Sequence, residues 1–409
     1  MLPTGPLGVL VAFALRSRFF TPFEEHFHVA LKTCDYTPLQ KLQTLICALA
    51  TGCAWTKAIN HRLRPYPVVA EMLGMPQFPD QSSINRFLHE LGSVQCLQLD
   101  RISELLLHRF GLWRQLDRVD LDIDSTGLMV YGNTYEGMRK GYFPRQRGRR
   151  GYRLTVATSA NPAGPEILAL AFDPANVQPA GRLWDCLYQA ADVVGSLERI
   201  GVVRADASFG TGADVQELLD LGLSFIVKGF STQTAINFAT HVPPTQWESL
   251  DLFTQVCDLG PQRISKCRHP VRVVLVKLMT RRFDRPIHSH LYTNLAPDQA
   301  DAEQLVTRYN DRQCIEALFK SAKYGLAIDH LRTRRYRPIE GFLHVAAITF
   351  NLLSWFRFYL LAQVGLGDLG MRELTQTLMD IPAKCSRADN QVLLSFPARH
   401  PLTPALARL

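Results

Sequence analysis

Apolar residues recur at helical spacing through residues 1–115 and give way, from Val119, to strict alternation. Residues 39–50, 68–73 and 97–112 carry the helical pattern, and Pro65 and Pro67 punctuate the loop between the first two. The pair Ser82-Ser83 is expected to cap a further short helix with Asn85 and Arg86 in its early turns. A helix of that kind serves either as the reading helix of a helix-turn-helix or as an ordinary bundle member. Over residues 119–126 the alternation places Asp120, Asp122 and Asp124 on one strand face, with Val119, Leu121 and Ile123 on the other. Strands follow at 154–159 and 166–172, a helix at 183–196, a strand at 200–205 ending in Arg204-Ala205-Asp206, a helix at 215–221 and a strand at 225–228. That order implies a mixed α/β layer. From 231 to 300 strands predominate, at 271–278 and 288–294, and the stretch reads as a β-rich insertion. Residues 309–323 contain no Gly or Pro and read as one helix. The apolar run 342–365 is interrupted by Asn351, Ser354 and Arg357, which suits a buried core helix better than a membrane span.

The expected organisation is a helical domain over 1–115, an α/β core in two parts (116–230 and 301–365), the insertion over 231–300 between them, and a tail of little signal over 366–409. A hydrophobic content of 47% describes a soluble globular chain. The net charge of +8 permits a polyanionic partner without requiring one, so local clustering matters more. The nine cysteines form no CxxC pair, which argues against a disulfide framework and a zinc ribbon and favours a reducing cytoplasm. The loose set Cys257, Cys267, His269, His288 and His290 fits no zinc spacing, and the apolar run 7–15 is too short to span a bilayer.

Two stretches carry candidate chemistry. Residues 139–153 hold seven cations (Arg139, Lys140, Arg145, Arg147, Arg149, Arg150 and Arg153) and no acid, interleaved with Tyr142, Phe143 and Tyr152. Such a run can follow a phosphate backbone and stack on bases. On the expected 309–323 helix, Tyr309, Arg312, Glu316 and Lys323 fall within an arc of about 60°. Three same-face carboxylates at 120, 122 and 124 are costly in a half-buried strand unless cations oppose them. Asp124 and Asp206 at strand ends, with Glu316 from a helix, can converge on two Mg²⁺ or Mn²⁺ ions suited to phosphodiester chemistry. Arg312 and Lys323 can then hold neighbouring phosphates, and Tyr309 can stack or hydrogen-bond there.

These motifs resemble those of the DDE transposases of bacterial insertion sequences, in the branch marked by a Tyr-x2-Arg-x3-Glu-x6-Lys signature. The signature is complete as Tyr309, Arg312, Glu316 and Lys323. Asp124-Ser125-Thr126 matches the first catalytic aspartate, and Arg204-Ala205-Asp206-Ala207-Ser208-Phe209 matches the setting of the second. The resemblance implies an RNase H-like core interrupted by the β-rich insertion, and an amino-terminal domain that binds the terminal inverted repeats. It also implies cleavage of double-stranded DNA by Asp124, Asp206 and Glu316 with two Mg²⁺ or Mn²⁺ ions, then joining of the 3′-hydroxyls to target DNA in a dimer-bridged complex. Trp247, the lone tryptophan of residues 231–300, is the candidate platform for a base flipped at the element's end. Asp122 points the same way as Asp124 and rivals it; Asp124 is preferred because Ser-Thr follows it and strand ends are more open. The alternatives are a metal-dependent endonuclease without strand transfer and a catalytically silent DNA-binding derivative.

Overall fold

The computed structural model describes residues 2–30, 35–143, 146, 148–279, 286–388 and 391–409; Arg145 and Arg147 of the basic run lie outside them. In chain order, α1 (Gly5–Arg16), α2 (Thr21–His26), α3 (Pro38–Ala50), α4 (Lys57–Arg62), α5 (Pro67–Met72), α6 (Gln81–His89) and α7 (Ser93–Phe110) precede the first strand. Then come β1 (Val119–Val130), β2 (Arg139–Lys140), β3 (Arg150–Ser159), β4 (Glu166–Pro174), α8 (Leu183–Val194), β5 (Ile200–Ala205), α9 (Gly212–Asp220), β6 (Ser224–Lys228) and α10 (Thr232–Thr240). The remainder is β7 (Glu248–Ser249), β8 (Thr254–Gln262), β9 (Val271–Leu278), β10 (Ile287–Thr293), α11 (Ala302–Asn310), α12 (Gln313–Gly325), α13 (Tyr336–Tyr359), β11 (Lys384–Ala388) and β12 (Gln391–Ser395). The protein is thus mixed α/β, and its chain divides into two compact units that cross the chain order.

The first unit comprises Met1–Leu112, Leu128–Tyr152 and Leu318–Leu409. Its centre is α13, which is buried from Ile339 to Phe356 except where Glu340 meets the surface and packs against α3, α6 and α7. Trp355 stacks on Phe110 at 5.3 Å, and the Tyr359 hydroxyl donates to the Phe110 carbonyl at 2.8 Å. The helices of residues 1–112 therefore share one core with α13. The helical stretch containing α13 is long and apolar enough to cross a membrane, yet 72% of its apolar window is buried in the protein.

Helix α6 is capped two residues before Ser82: Asp80 is the cap, and its carboxylate accepts from Ser83 N at 2.7 Å. Asp is as good a cap as Ser, and both residues stood in the string. In the basic stretch, β2 pairs with the start of β3, leaving Arg139, Lys140 and Arg150 exposed. Arg149 lies over the Tyr131 ring at 5.5 Å. Of the three interleaved aromatics only Tyr142 faces solvent; Phe143 is buried, and buried Tyr152 donates its hydroxyl to the Glu136 carbonyl.

The second unit, Trp113–Gly127 with Arg153–Ala317, is built on a sheet whose strands neighbour one another in the order β4-β3-β1-β5-β6-β10-β9-β8-β7. Strands β1, β5 and β6 run parallel, and β10, β9, β8 and β7 continue the sheet antiparallel. The residues expected as an insertion thus extend the same sheet. Val202, Ile226, Val256, Val274 and Leu291 from its strands bury against Leu305 and Val306 of α11, and Tyr309 packs at the margin of that cluster.

Residues 309–323 are not one helix. Helix α11 ends at Asn310, and α12 restarts at Gln313. Across the join, Arg312 N donates to the Tyr309 carbonyl at 3.2 Å and Ile315 N to the Arg312 carbonyl at 3.0 Å, three-residue steps tighter than an α-turn. Tyr309 therefore belongs to α11, Glu316 and Lys323 to α12, and Arg312 to the turn between them.

Candidate active site

The site starts from the register of two parallel strands. Asp122 of β1 lies opposite Arg204 of β5, and Ile123 opposite Ala205, so the next residues, Asp124 and Asp206, fall side by side where β5 ends; Asp124 does not close its own strand as expected, because β1 runs on to Val130 after β5 has stopped. In open α/β sheets, that edge is where ligands bind.

Each aspartate of the alternating row meets a different partner. The Asp120 Oδ1 accepts from Val202 N at 2.7 Å, and its Oδ2 lies 3.6 Å from Arg308 of α11. Fully buried Asp122 accepts two bonds from Arg204, from Nε at 2.7 Å and Nη2 at 2.9 Å, and a third from Cys314 Sγ at 3.3 Å. Arg204 Nη1 donates onward to the Arg308 carbonyl at 2.8 Å. Burial would lower the Arg204 pKa, but the bonds to Asp122 raise it on balance. Asp122 is therefore committed to a structural pair with Arg204. The row is tolerated because Arg308, Arg204 and Arg312 oppose it, one arginine per aspartate.

Asp124 is buried, with Ser125 N donating to its Oδ1 at 2.7 Å and Arg312 Nη1 donating to its Oδ2 at 2.8 Å. Burial first, then the charge of Asp206, pushes its pKa up, and Arg312 opposes the shift. Asp206 caps the short turn Ala207–Phe209, accepting from Ser208 N at 2.9 Å. Glu316 is exposed, and its Oε1 lies 3.4 Å from Arg312 Nη2. The buried Arg312 guanidinium thus stands between Asp124 and Glu316. Burial would lower the Arg312 pKa, but Tyr309, Asp124 and Asp206 raise it on balance.

Tyr309 lies beneath this guanidinium, with the Arg312 Cζ 5.4 Å from its ring centroid, and burial raises its phenol to about 12. It is a neutral support for Arg312. Lys323, half-buried on α12, has its pKa lowered by burial, against which Asp329 acts.

Two further cations belong to this neighbourhood, Arg153 of the basic run and Arg308 of α11. Arg153 feels the charges of Asp206 and Asp173, although burial is the larger influence and lowers its pKa. Arg308 could have been found from its i,i+4 spacing to Arg312. Trp247 is half-buried, with Lys277 Nζ 5.3 Å from its ring centroid and His288 packed edge-on at 6.1 Å. Arg86 is exposed on α6, with Nη2 3.4 Å from Ser83 Oγ; Ser83 and Asn85 are half-buried, and among the described residues Asn85 Oδ1 has no hydrogen-bond partner.

The donor set suits a hard divalent cation. Asp124 and Asp206 offer carboxylate oxygens side by side, one desolvated, a repulsion that a bound cation relieves. Among the described residues, no three His, Cys, Asp or Glu side chains stand together as a metal-holding group. Among the described residues, Arg312 links Glu316 to Asp124.

No curated protein matches the chain. A family model described as the transposase DDE domain, group 1, matches residues 7–409, from the first helix of the first unit through both halves of the site to the last residue. With Asp124 and Asp206 adjacent where β5 ends and its helical glutamate linked to Asp124 by Arg312, the chain belongs to the DDE transposases.

Proposed function

We propose that the protein cleaves the ends of a mobile DNA element by metal-assisted phosphodiester hydrolysis and joins the freed 3′-hydroxyls to target DNA, using Asp124, Asp206 and Glu316. The observation that supports this reading is the juxtaposition of Asp124 on β1 with Asp206 at the carboxyl end of the parallel strand β5, while Asp120 and Asp122 are committed to Val202 and Arg204. The strand order β4-β3-β1-β5-β6 is compatible with an RNase H-like core.

DDE transposases use divalent metals. When bound, two such ions activate a water or hydroxyl and stabilise the leaving oxygen. Asp124 and Asp206 would hold them, with Glu316 completing the set once its contact with Arg312 opens. Ser125 N and Ser208 N orient the two carboxylates through short bonds, so the donors are fixed before substrate arrives. Arg312 balances charge at the carboxylates, and Tyr309 holds its guanidinium in place. Lys323 and the exposed Arg139, Lys140, Arg149 and Arg150 supply cationic contacts for phosphates, as do Ser83, Asn85 and Arg86 on α6. Trp247 remains the candidate base platform, on its ring face away from Lys277. A homodimer bridging two DNA ends completes the scheme.

The test is a supercoiled plasmid carrying both ends of the element, incubated with Mg²⁺ and wild-type protein or Asp124→Asn, Asp206→Asn or Glu316→Gln. Wild type should release 3′-hydroxyl ends and joined products; each variant should bind the ends in a gel-shift assay and cut nothing. Cleavage retained by any of the three would remove that residue from the site. Light scattering of the protein–DNA complex reports whether two chains bridge two ends.

A further inference from the structure

A pocket of about 420 Å³ opens beside the loop that follows Asp206. The turn Ala207–Phe209 leads directly from that aspartate to Gly210, where the lining begins. Arg263 and Lys266 line it, together with Phe230, Phe238 and Tyr292, and no acidic residue contributes to the wall. Its volume lies within the range of small-ligand sites.

The two cations are unlike their neighbour Arg268. That residue is held by Asp220, with Nη2 2.6 Å from both carboxylate oxygens, whereas among the described residues neither Arg263 nor Lys266 has an acidic partner. The loop that carries them is firmly placed. Arg268 N donates to Gln216 Oε1 at 2.6 Å, and a Cβ on Gly212 would come within 1.8 Å of the Ser265 carbonyl oxygen. On the other wall, a Cβ on Gly210 would meet the Lys228 carbonyl oxygen at 1.8 Å, and Phe230 N donates to the Gly210 carbonyl. Lys266 itself takes a left-handed backbone, φ 63°, a costly conformation for a residue with a side chain. A solvated basic loop has no need of such support. Here it holds two uncompensated cations around a concave, acid-free surface, where positive potential is concentrated. Phe230, 66% exposed at the rim, adds a flat apolar face.

We propose that this pocket binds a phosphate group of a polynucleotide strand, with Arg263 and Lys266 as its charged contacts and Phe230 against the adjoining base or sugar. The phosphate chemistry follows from the lining. The polynucleotide as its source rests on the transposase reading.

The experiment uses the full chain, a labelled duplex and a labelled single strand, with affinity measured across a salt series. The double variant Arg263→Gln/Lys266→Gln should flatten the log–log salt slope by about 1.8 on duplex or about 1.4 on single strand. Arg268→Gln should leave the slope at the wild-type value. Calorimetry with AMP and with inorganic phosphate identifies a free source: binding by wild type but not by the double variant, with unchanged polynucleotide slopes, would overturn the strand and retain the phosphate site. Unchanged slopes and no difference toward AMP or phosphate would overturn the proposal. Asp206→Asn, assayed in parallel, separates the two readings. If that variant still cleaves, the catalytic assignment fails while the pocket stands; if it binds with a wild-type slope and does not cleave, both readings survive.

Discussion

The division of labour between Asp122 and Asp124 can be tested through stability. Asp122 is fully buried, and the side chain of its partner Arg204 is 6% exposed. Replacing Arg204 with Met leaves a buried carboxylate supported only by the Cys314 thiol; replacing Asp122 with Leu leaves a buried guanidinium supported only by the Arg308 carbonyl. Removing one partner of a buried pair costs about 3–5 kcal/mol, because the other charge is stranded. The double variant Arg204→Met/Asp122→Leu strands no charge and should recover much of that loss, so a double-mutant cycle should show coupling of at least about 2 kcal/mol. Urea unfolding followed by fluorescence and circular dichroism measures each corner, with midpoints for the single variants about 1 M or more below wild type. The matched variant Asp124→Asn should lose cleavage with a far smaller midpoint shift. If Asp122→Leu unfolded within about 1 kcal/mol of wild type and yet abolished cleavage, Asp122 would be acting at the reacting phosphate, and the assignment of roles along β1 would be wrong.

Further outcomes are expected elsewhere. Burial holds His344 at about 4, and burial with the nearby Lys228 holds His290 at about 4. Both lie below the unfolded value of about 6.5. Their neutral forms therefore contribute stability that is fully present above about pH 6.5 and lost as pH falls through about 4, by up to about 3 kcal/mol each; a His344→Leu variant should show a shallower fall of melting temperature between those limits. Gly229→Ala should destabilise the second unit by about 1–3 kcal/mol, since the new Cβ would lie 1.8 Å from His290 Nε2, whereas Gly181→Ala, with nothing within 4 Å, should be near neutral in the same melts. Lys323→Gln should lower the salt slope of DNA binding by about 1, and an unchanged slope would exclude a phosphate contact there.

Much of the second unit was legible in the sequence where one physical signal dominated. The expected strands 200–205 and 271–278 coincide with β5 and β9, because apolar and β-branched residues dominate them, around Gly201 and Arg204 in the one and Arg272 and Lys277 in the other. Strand β8 is not among the expected strands, since Gly260 and Pro261 are poor strand residues; the structure accommodates them through a shift of register between Asp258 and Pro261. The break between α11 and α12 left no local mark either. Asp311 and Arg312 are acceptable helix residues, and Arg312 turns inward to a carboxylate that lies 188 positions earlier in the chain. Propensity sees only neighbours, so a tertiary ion pair that redirects a helix is invisible to it.

The break changes what the four-residue signature does physically. On a continuous helix its members would form one solvent-facing stripe, each as free as the next to reach a phosphate. With the turn at residues 311 and 312, they divide by depth. Tyr309 becomes part of the core margin, Arg312 becomes a buried counter-ion, and Glu316 remains exposed at the end of that guanidinium's reach. Spacing in such a motif therefore records more than which side chains share a face. The three residues from Tyr309 to Arg312 set a cation above a ring, and the four from Arg312 to Glu316 bring an exposed carboxylate toward two that are held by backbone amides. Along β1 the two-residue spacing does the converse. It presents identical side chains to three different arginines, and only the partner and the end of the neighbouring strand β5 distinguish Asp124, beside Asp206, from Asp122, which is closed off by Arg204.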